Sequence, residues 1–416
     1  MAFLLASSVD KSDAFSVDDA RKIEAEWDAK NALRPNLSNA LNVAVIAYTV
    51  GKSEKAWKAI HAVLESVQDA EVPADLLGQV YMNAGMIYRG YGQLEQAARY
   101  IEKAWQLSKT GYGGLAYAEE LLRAGKWLDG WRLHNLTRPT LEGAALGLGL
   151  GEEVRYWDGS THPSSLLVIN EGGAGDRINY TRFLSVLNER GINYKFFCFD
   201  ALKPLYEQLP WLDGKLIGEH DKAEMSPPPS HWTTVFALPE ALKITPETLP
   251  QFPTPFTAPR KELRLEGSGK PKYGLCWKAA ELFQGGLTTR SLSEGQAMRI
   301  VSKTENYVDW VNLQHGHKMP YPVTNVPFHS WADTAEVISQ LDAVVSVDTG
   351  TYHLAGAMDK PTTLLLSSNS DWKWGYDSEG EWDKWYPSVE VIRNGPSTQV
   401  QDFTNAIEQV IAHIKS

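Results

Sequence analysis

Two short stretches of this chain carry chemically capable residue types at the end of an expected strand. The first runs Val345-Ser346-Val347-Asp348-Thr349-Gly350-Thr351-Tyr352-His353-Leu354-Ala355-Gly356-Ala357-Met358. Its valine-rich start reads as a strand ending at Asp348. A turn follows at Thr349-Gly350-Thr351, and a short helix is expected to begin near Thr351 and stop before Lys360-Pro361. A helix start offers backbone N–H groups that lack an intrahelical acceptor, together with the positive end of the helix dipole. Gly350 lets the backbone approach a ligand closely, and Thr349 and Thr351 add hydroxyl donors. This pattern, with Asp348 at its head, is a diphosphate cradle that needs no metal. His353, in the first turn, is placed to contact a phosphate or a leaving oxygen.

The second stretch is Glu171-Gly172-Gly173-Ala174-Gly175-Asp176, which follows a buried strand read over Ser165–Asn170. Gly173 and Gly175 keep this turn small, so a hydroxyl group can come close to the Asp176 carboxylate. A helix is expected from Arg177 to Arg190. Gln314, just past a strand ending at Leu313, is a donor-contact candidate from its position alone. The chain contains no Asp-x-Asp pair, the usual short signature of a metal-held diphosphate, so neither a metal nor a cofactor is expected. Plainer readings stay open beside these. Asp176 is also a good helix cap, and His353 is also readable as a hydrogen-bonded structural histidine. Trp372, Trp374, Trp382 and Trp385 suit sugar or base stacking and core or lid packing equally.

The elements that must position these residues follow from periodicity. Strand, glycine turn, helix and a further strand over Tyr194–Phe199 make a parallel βαβ unit. Proline-rich punctuation comes at Ser226–Pro229 and at Leu249–Pro255, the second reading as an interdomain linker. A new series starts at Lys272, with strands over Tyr273–Trp277, Tyr307–Leu313, Ala343–Val347 and Thr362–Leu366, and a helix over Trp331–Gln340. Two doubly wound lobes of this kind place a cleft between the carboxyl ends of their sheets, where ligands bind. That is the GT-B architecture. A C-terminal helix over Asp402–Ile414 is expected to pack back across the lobes.

The first third, from about Val17 to His134, has helical period and a recurring register. Gly51 precedes Ala56, Gly92 precedes Ala97 and Gly125 precedes Gly130 by the same offset. The second spacing, from Gly92 to Gly125, is close to the tetratricopeptide period of about 34 residues. Glycine suits the turn between two antiparallel helices, and small residues such as Ala97 and Ala104 allow close packing. The fold class is therefore α followed by α/β: tetratricopeptide-like helical repeats over 1–145, an N-terminal GT-B lobe over 155–258, a C-terminal GT-B lobe over 270–400, and the terminal helix over 401–416. A generic helical bundle is the plainer alternative for the first unit. That unit offers a surface and no chemistry of its own. Trp57, Trp105, Trp127 and Trp131 read as core in preference to a ligand cage.

The net charge of −11 argues against a generally basic nucleic-acid binder. Cys198 and Cys276 each sit in an apolar run and read as buried free thiols. The first residues lack the basic region and apolar length of a signal peptide, and no stretch reaches the length of a membrane span. A soluble, cytoplasmic protein is expected.

The run through Asp333-Thr334-Ala335, Leu341-Asp342, Asp348-Thr349-Gly350, His353–Ala357 and Lys360-Pro361 resembles the C-terminal lobe of heptosyltransferase-like glycosyltransferases. More closely, the chain is similar to bacterial tetratricopeptide-repeat proteins that carry this catalytic unit. Further matches are Gly172–Asp176 with Tyr180–Leu184, Asp371-Trp372-Lys373-Trp374, Trp385-Tyr386-Pro387 and Gly130-Trp131-Arg132-Leu133. The resemblance implies inverting, metal-independent transfer from a nucleoside-diphosphate sugar. It makes Asp176 the general base and Asp348, Thr349, Gly350 and His353 the phosphate-binding turn. It offers Lys278 as a phosphate contact, although Trp277-Lys278-Ala279-Ala280 departs from the family pattern, and Arg290 as a second cation. Both also read as solvated surface charges. The acceptor is left open between a glycan, a protein and a modified nucleic-acid base, and the repeats are a candidate surface for recruiting an acceptor or protein partner. The competing class is a repeat-domain adaptor whose transferase fold is catalytically silent.

Overall fold

A computed structural model describes residues 17–33, 36–68, 70–109, 111–138, 147–221, 227–249, 256, 264–279, 290–320, 322–327, 329–368, 370–375, 385–394 and 403–416. Pro250–Pro255 of the expected linker Leu249–Pro255, Ser226 of the expected break Ser226–Pro229, Ala280 and Trp382 lie outside them.

Seven helices open the described chain: α1 (Val17–Leu33), α2 (Leu37–Thr49), α3 (Ser53–Ser66), α4 (Ala74–Gly90), α5 (Leu94–Leu107), α6 (Gly111–Arg123) and α7 (Trp127–Thr137). They pair as hairpins, α2 with α3, α4 with α5 and α6 with α7. One turn recurs in all three. Gly51, Gly92 and Gly125 have φ of +79°, +73° and +77°, a region that side-chain-bearing residues rarely adopt. The same pair of backbone bonds closes each turn. Gly51 N–H donates to Tyr48 and Lys52 N–H to Ala47, and the pattern repeats at Gly92–Gln93 and Gly125–Lys126, all at 2.8–3.0 Å. The small residues that follow are needed for packing: a methyl group added at Gly130 would lie 2.6 Å from Leu122 Cγ.

The rest of the described chain builds two parallel sheets. The first contains β1 (Arg155–Tyr156), β2 (Leu166–Ile169), β3 (Tyr194–Phe197), β4 (Leu216–Ile217) and β5 (His231–Thr234), in the order β1-β5-β2-β3-β4. The second contains β6 (Lys272–Cys276), β7 (Asp309–Asn312), β8 (Thr324–Asn325), β9 (Ala343–Val347), β10 (Thr362–Leu366) and β11 (Val389–Arg393), in the order β11-β10-β9-β6-β7-β8. Read from β8, that is the doubly wound dinucleotide-fold order. Its central strands are buried on both faces, as a parallel sheet requires. Leu275, Val345, Val347 and Leu365 face one apolar layer, while Cys276, Val344, Leu364 and Leu366 face the other.

The chain order reverses between β6 and β9 in the second sheet, and between β2 and β5 in the first. Crevices open at the carboxyl ends of strands at such switch points. Both chemically promising turns sit there: Gly172–Asp176 after β2, and Asp348–Thr351 after β9.

Three expectations change in detail. The helix after the first glycine turn begins at Ala174, which puts Asp176 inside its first turn, and a 3-10 turn at Thr181–Phe183 interrupts it. β7 starts at Asp309 and not Tyr307, because Tyr307 and Val308 N–H groups bond back to Thr304 and finish the preceding helix. The terminal helix, Thr404–Lys415, does not cross the lobes: it packs on the Glu294–Thr304 helix and on β10 and β11, since its apolar stripe of Phe403, Ala406, Ile407, Val410 and Ile411 completes the second sheet's own core.

Candidate active site

The helix after β9 runs Gly350–Ala357, with Thr349 as its N-cap in extended conformation. Its first intrahelical bond is His353 N–H to Thr349 carbonyl at 3.4 Å, so the N–H groups of Gly350 and Thr351 lie ahead of the helical ladder, at its positive end. Gly350 is fixed by packing, because a methyl group there would lie 2.5 Å from the Trp331 ring. The Thr349 hydroxyl is turned towards the strand side, 3.3 Å from Ser346 Oγ and 3.6 Å from Cys276 Sγ. Cys198 and Cys276 are both buried and free, as the sequence reading expected.

The end of β6 forms the neighbouring wall. Gln314 Oε1 accepts from Lys278 N–H at 2.8 Å, so its carbonyl pins this loop. Ala279 N–H donates to Ser291 Oγ at 3.0 Å, and Leu292 N–H to Trp277 carbonyl at 2.8 Å. These bonds tie Lys278 and Arg290 to one rim of the crevice. Arg290 Nη1 lies 3.9 Å from Asp348 Oδ2. Burial raises the Asp348 pKa above the usual carboxylate range, with Arg290 opposing.

Asp176 comes to this rim from the other lobe. Gly172 turns at φ +84° with Phe236 behind it, and Asp176 Oδ2 accepts from Gly173 N–H at 3.3 Å. The carboxylate therefore closes its own turn, yet its side chain keeps 29% exposure. Its Oδ1 lies 3.1 Å from Lys373 Nζ.

Lys373 is the site residue that sequence reasoning did not single out. It sits on the 3-10 turn Trp372–Trp374, capped by the Asp371 side chain. Asp371 Oδ1 lies 3.5 Å from the same ammonium. The only signal in the sequence was the Asp371–Trp374 segment itself, where the tryptophans drew attention and the lysine did not. Trp372 and Trp374 are buried, as is Trp385, which favours core packing over sugar stacking for these three.

His353 is also buried, and its ring faces the opposite lobe. A methyl group at Gly175 would lie 2.4 Å from His353 Cδ2. His353 Nδ1 is 2.9 Å from the Tyr386 hydroxyl, which donates to Asn179 Oδ1 at 3.0 Å. Burial, helped by Lys373, pushes the His353 pKa well below its ordinary value. In this arrangement His353 is a neutral link between lobes and not an exposed phosphate donor. Arg182 makes a second link through Nη2 to Trp385 carbonyl at 2.8 Å.

The structure thus brings Asp176, Asp348, Lys373, Asp371 and Arg290 to one interlobe rim, with the Gly350 helix start beside them. Gln314 and Thr349 are turned to framework partners. Among the described residues no group of three or more metal-ligating side chains is assembled, and no helix is long and apolar enough to cross a membrane.

The class is glycosyltransferase. The two-lobed parallel-sheet architecture is joined by a sequence match, over residues 315–406, to the family described as Glycosyltransferase family 9 (heptosyltransferase). That segment runs from the rim beside Gln314 through the Asp348–His353 turn and Lys373 to the terminal helix. The chain is also 23% identical to Protein FlbA of Caulobacter vibrioides, over 89% of this chain and 67% of the relative. Solved structures with partial likeness include Escherichia coli heptosyltransferase WaaC with ADP, at 13% identity and TM-score 0.37, covering 60% of this chain and 99% of that one. Escherichia coli ADP-heptose lps heptosyltransferase II shows 13% identity and TM-score 0.40, over 61% and 100%. Thermobaculum terrenum O-GlcNAc transferase shows 9% identity and TM-score 0.29, over 96% and 90%.

Proposed function

We propose that the interlobe rim transfers a sugar from a nucleoside-diphosphate sugar to an acceptor hydroxyl, with inversion and without a metal at the diphosphate. The observation that carries this reading is the meeting of Asp176, from one switch point, with Lys373 and the Gly350 helix start at the other. A hydroxyl is a poor nucleophile and needs a base within hydrogen-bond reach. Asp176 takes its proton, and the oxygen attacks the sugar C1 on the face opposite the diphosphate. The C1–O bond to the diphosphate breaks, and the leaving group carries away the electron pair. Fixed donors aimed at that developing charge are usually the largest catalytic contribution. Here they are the Gly350 and Thr351 N–H groups, Lys278, Arg290 and Lys373.

Lys373 has a third anion to serve besides Asp176 and Asp371. Without donor it neutralises Asp176; an arriving diphosphate competes for it and leaves the carboxylate free to accept a proton. Gln314 holds the Lys278 loop, and His353 keeps the Gly175 turn and the Gly350 helix face to face. The recurring glycine turns support a tetratricopeptide-like reading of α2–α7, whose outer surface suits an acceptor or protein partner. A cytoplasmic location fits this donor chemistry. The acceptor class stays open between glycan, protein and modified base.

Calorimetry with nucleoside diphosphates tests the donor half. Binding is expected to persist in excess chelator. A strict requirement for a divalent cation would overturn the metal-free cradle.

A further inference from the structure

Both catalytic turns are held from outside their own lobes by arginines of the helical unit. Arg123, at the end of α6, is 1% exposed. Its guanidinium donates to the Asp371 carbonyl at 3.1 Å, the Ser370 carbonyl at 3.2 Å and the Gly375 carbonyl at 3.5 Å. Those three carbonyls flank the turn that carries Lys373. Behind it, Glu120 pairs with Arg123 Nε at 3.3 Å and with Arg89, which also reaches Glu119. Arg138, just past α7, does the same for the other lobe. It pairs with Glu171, the residue ahead of Gly172, and donates to Thr234 Oγ1 at 3.1 Å on the neighbouring switch strand. Its guanidinium also lies over the Phe236 ring that backs Gly172. Between the two arginines, Trp127 and Trp131 share one core with Tyr180 of the first lobe and with Trp372 and Trp385 of the second.

We infer that Arg123 and Arg138 are positioning residues for glycosyl transfer, each fixing one side of the cleft from the helical unit. This rests on the proposed roles of Asp176 and Lys373. Arginine is suited to the task because its planar, five-donor fork holds several acceptors in a fixed geometry, whereas a lysine ammonium is a compact point charge on a flexible stem. The helical unit is then a built-in frame for the cleft as well as a surface. Removing it would expose Trp372 and Trp385 and release both turns together.

The two arginines serve different halves of the reaction, and that gives a signature beyond lost stability. Arg138→Lys loosens the turn that carries the base, so kcat is expected to fall about tenfold or more with the donor KM within about twofold. Arg123→Lys loosens the cation that serves both donor binding and the leaving diphosphate, so the donor KM is expected to rise about tenfold with a fall in kcat beside it. Ile60→Ala, in the buried core of the distant α2–α3 hairpin, serves as a control that weakens the helical unit elsewhere. It is expected to lower the melting temperature without either kinetic change. If both arginine variants merely lower the active fraction, with both constants of the folded protein unchanged as in the control, the positioning role is overturned. Asp176→Asn is assayed alongside. If it keeps full turnover, the reading beneath the proposal fails; if it abolishes turnover while the arginine variants behave like the control, only the positioning role fails.

Discussion

Lys373 Nζ lies 3.1 Å from Asp176 Oδ1, so a buried cation of the second lobe is paired with the carboxylate that closes the glycine turn of the first. Burial opposes a charged ammonium, but Asp176 and Asp371 outweigh it and hold the Lys373 pKa well above the ordinary lysine value. A permanently charged group is therefore built into the rim where a diphosphate would leave.

Replacing that charge tests its role. Lys373→Met keeps much of the side-chain volume and removes the cation. Loss of one preorganised donor to a developing anion typically costs about 10²–10³ in kcat. Lys373→Met is expected to lose activity on that scale and to weaken nucleoside-diphosphate binding, while Lys373→Arg retains more of both. Steady-state kinetics and calorimetry on the two variants check this.

Gly175 sets the distance between lobes. A methyl group there would lie 2.4 Å from His353 Cδ2, and the ring is held on its other side by Tyr386. Overpacking of this kind costs about 1–3 kcal/mol. Gly175→Ala is expected to lower stability by that amount and to reduce turnover more than the conservative size change suggests, because the ring moves the Gly350 helix away from Asp176. Chemical denaturation and kinetics on the same preparation separate the two effects.

His353 gives a pH signature. Its folded pKa is pushed well below the ordinary histidine value, mainly by burial. Above about pH 6.5 the imidazole is neutral in folded and unfolded chains alike, and it contributes no slope. Below that, the unfolded chain takes up a proton that the folded chain refuses. Stability is then expected to fall as pH falls, by about 1.4 kcal/mol per pH unit from this one group, until the depressed folded pKa is reached. Denaturant unfolding between pH 7.5 and 5 should show this slope reduced in His353→Gln. An unchanged slope would mean that the histidine protonates in place.

Much of this arrangement was legible in the sequence, for local reasons. The runs Ala343–Val347 and Thr362–Leu366 are largely apolar on both faces, as a parallel core strand requires, and both strands occur at those residues. The glycine turns at Gly51, Gly92 and Gly125 were legible because a positive φ selects glycine. The glycine turn that leads to Asp176 and the Asp348–Gly350 turn were legible because each follows a strand. The rest depends on contacts that no local pattern records. Arg123 reaches Asp371 across 248 positions of sequence, and its own neighbourhood reads as an ordinary charged helix end. Lys373 is a cation beside tryptophans until Asp176 is brought to it. His353 sits in a helix start and reads as a ligand contact; only the facing Gly175 and Tyr386 show that its ring is enclosed. The C-terminal helix has a plain amphipathic stripe, but a stripe does not say which sheet it covers.

The central claim is that Asp176 is the base that activates the acceptor hydroxyl, and Asp176→Asn tests it most directly. Asparagine keeps the side chain's shape and its oxygen for Gly173 N–H, but it removes the basic carboxylate. Positioned general bases contribute about 10²–10⁴-fold in rate. The measurement is turnover of the well-folded variant with nucleoside-diphosphate sugar and acceptor, read beside donor affinity and melting temperature. The result expected is a loss of turnover on that scale, with donor still bound and only a modest change in melting temperature. Near-normal turnover by a folded Asp176→Asn protein would contradict the account and send the base assignment to another carboxylate at the rim.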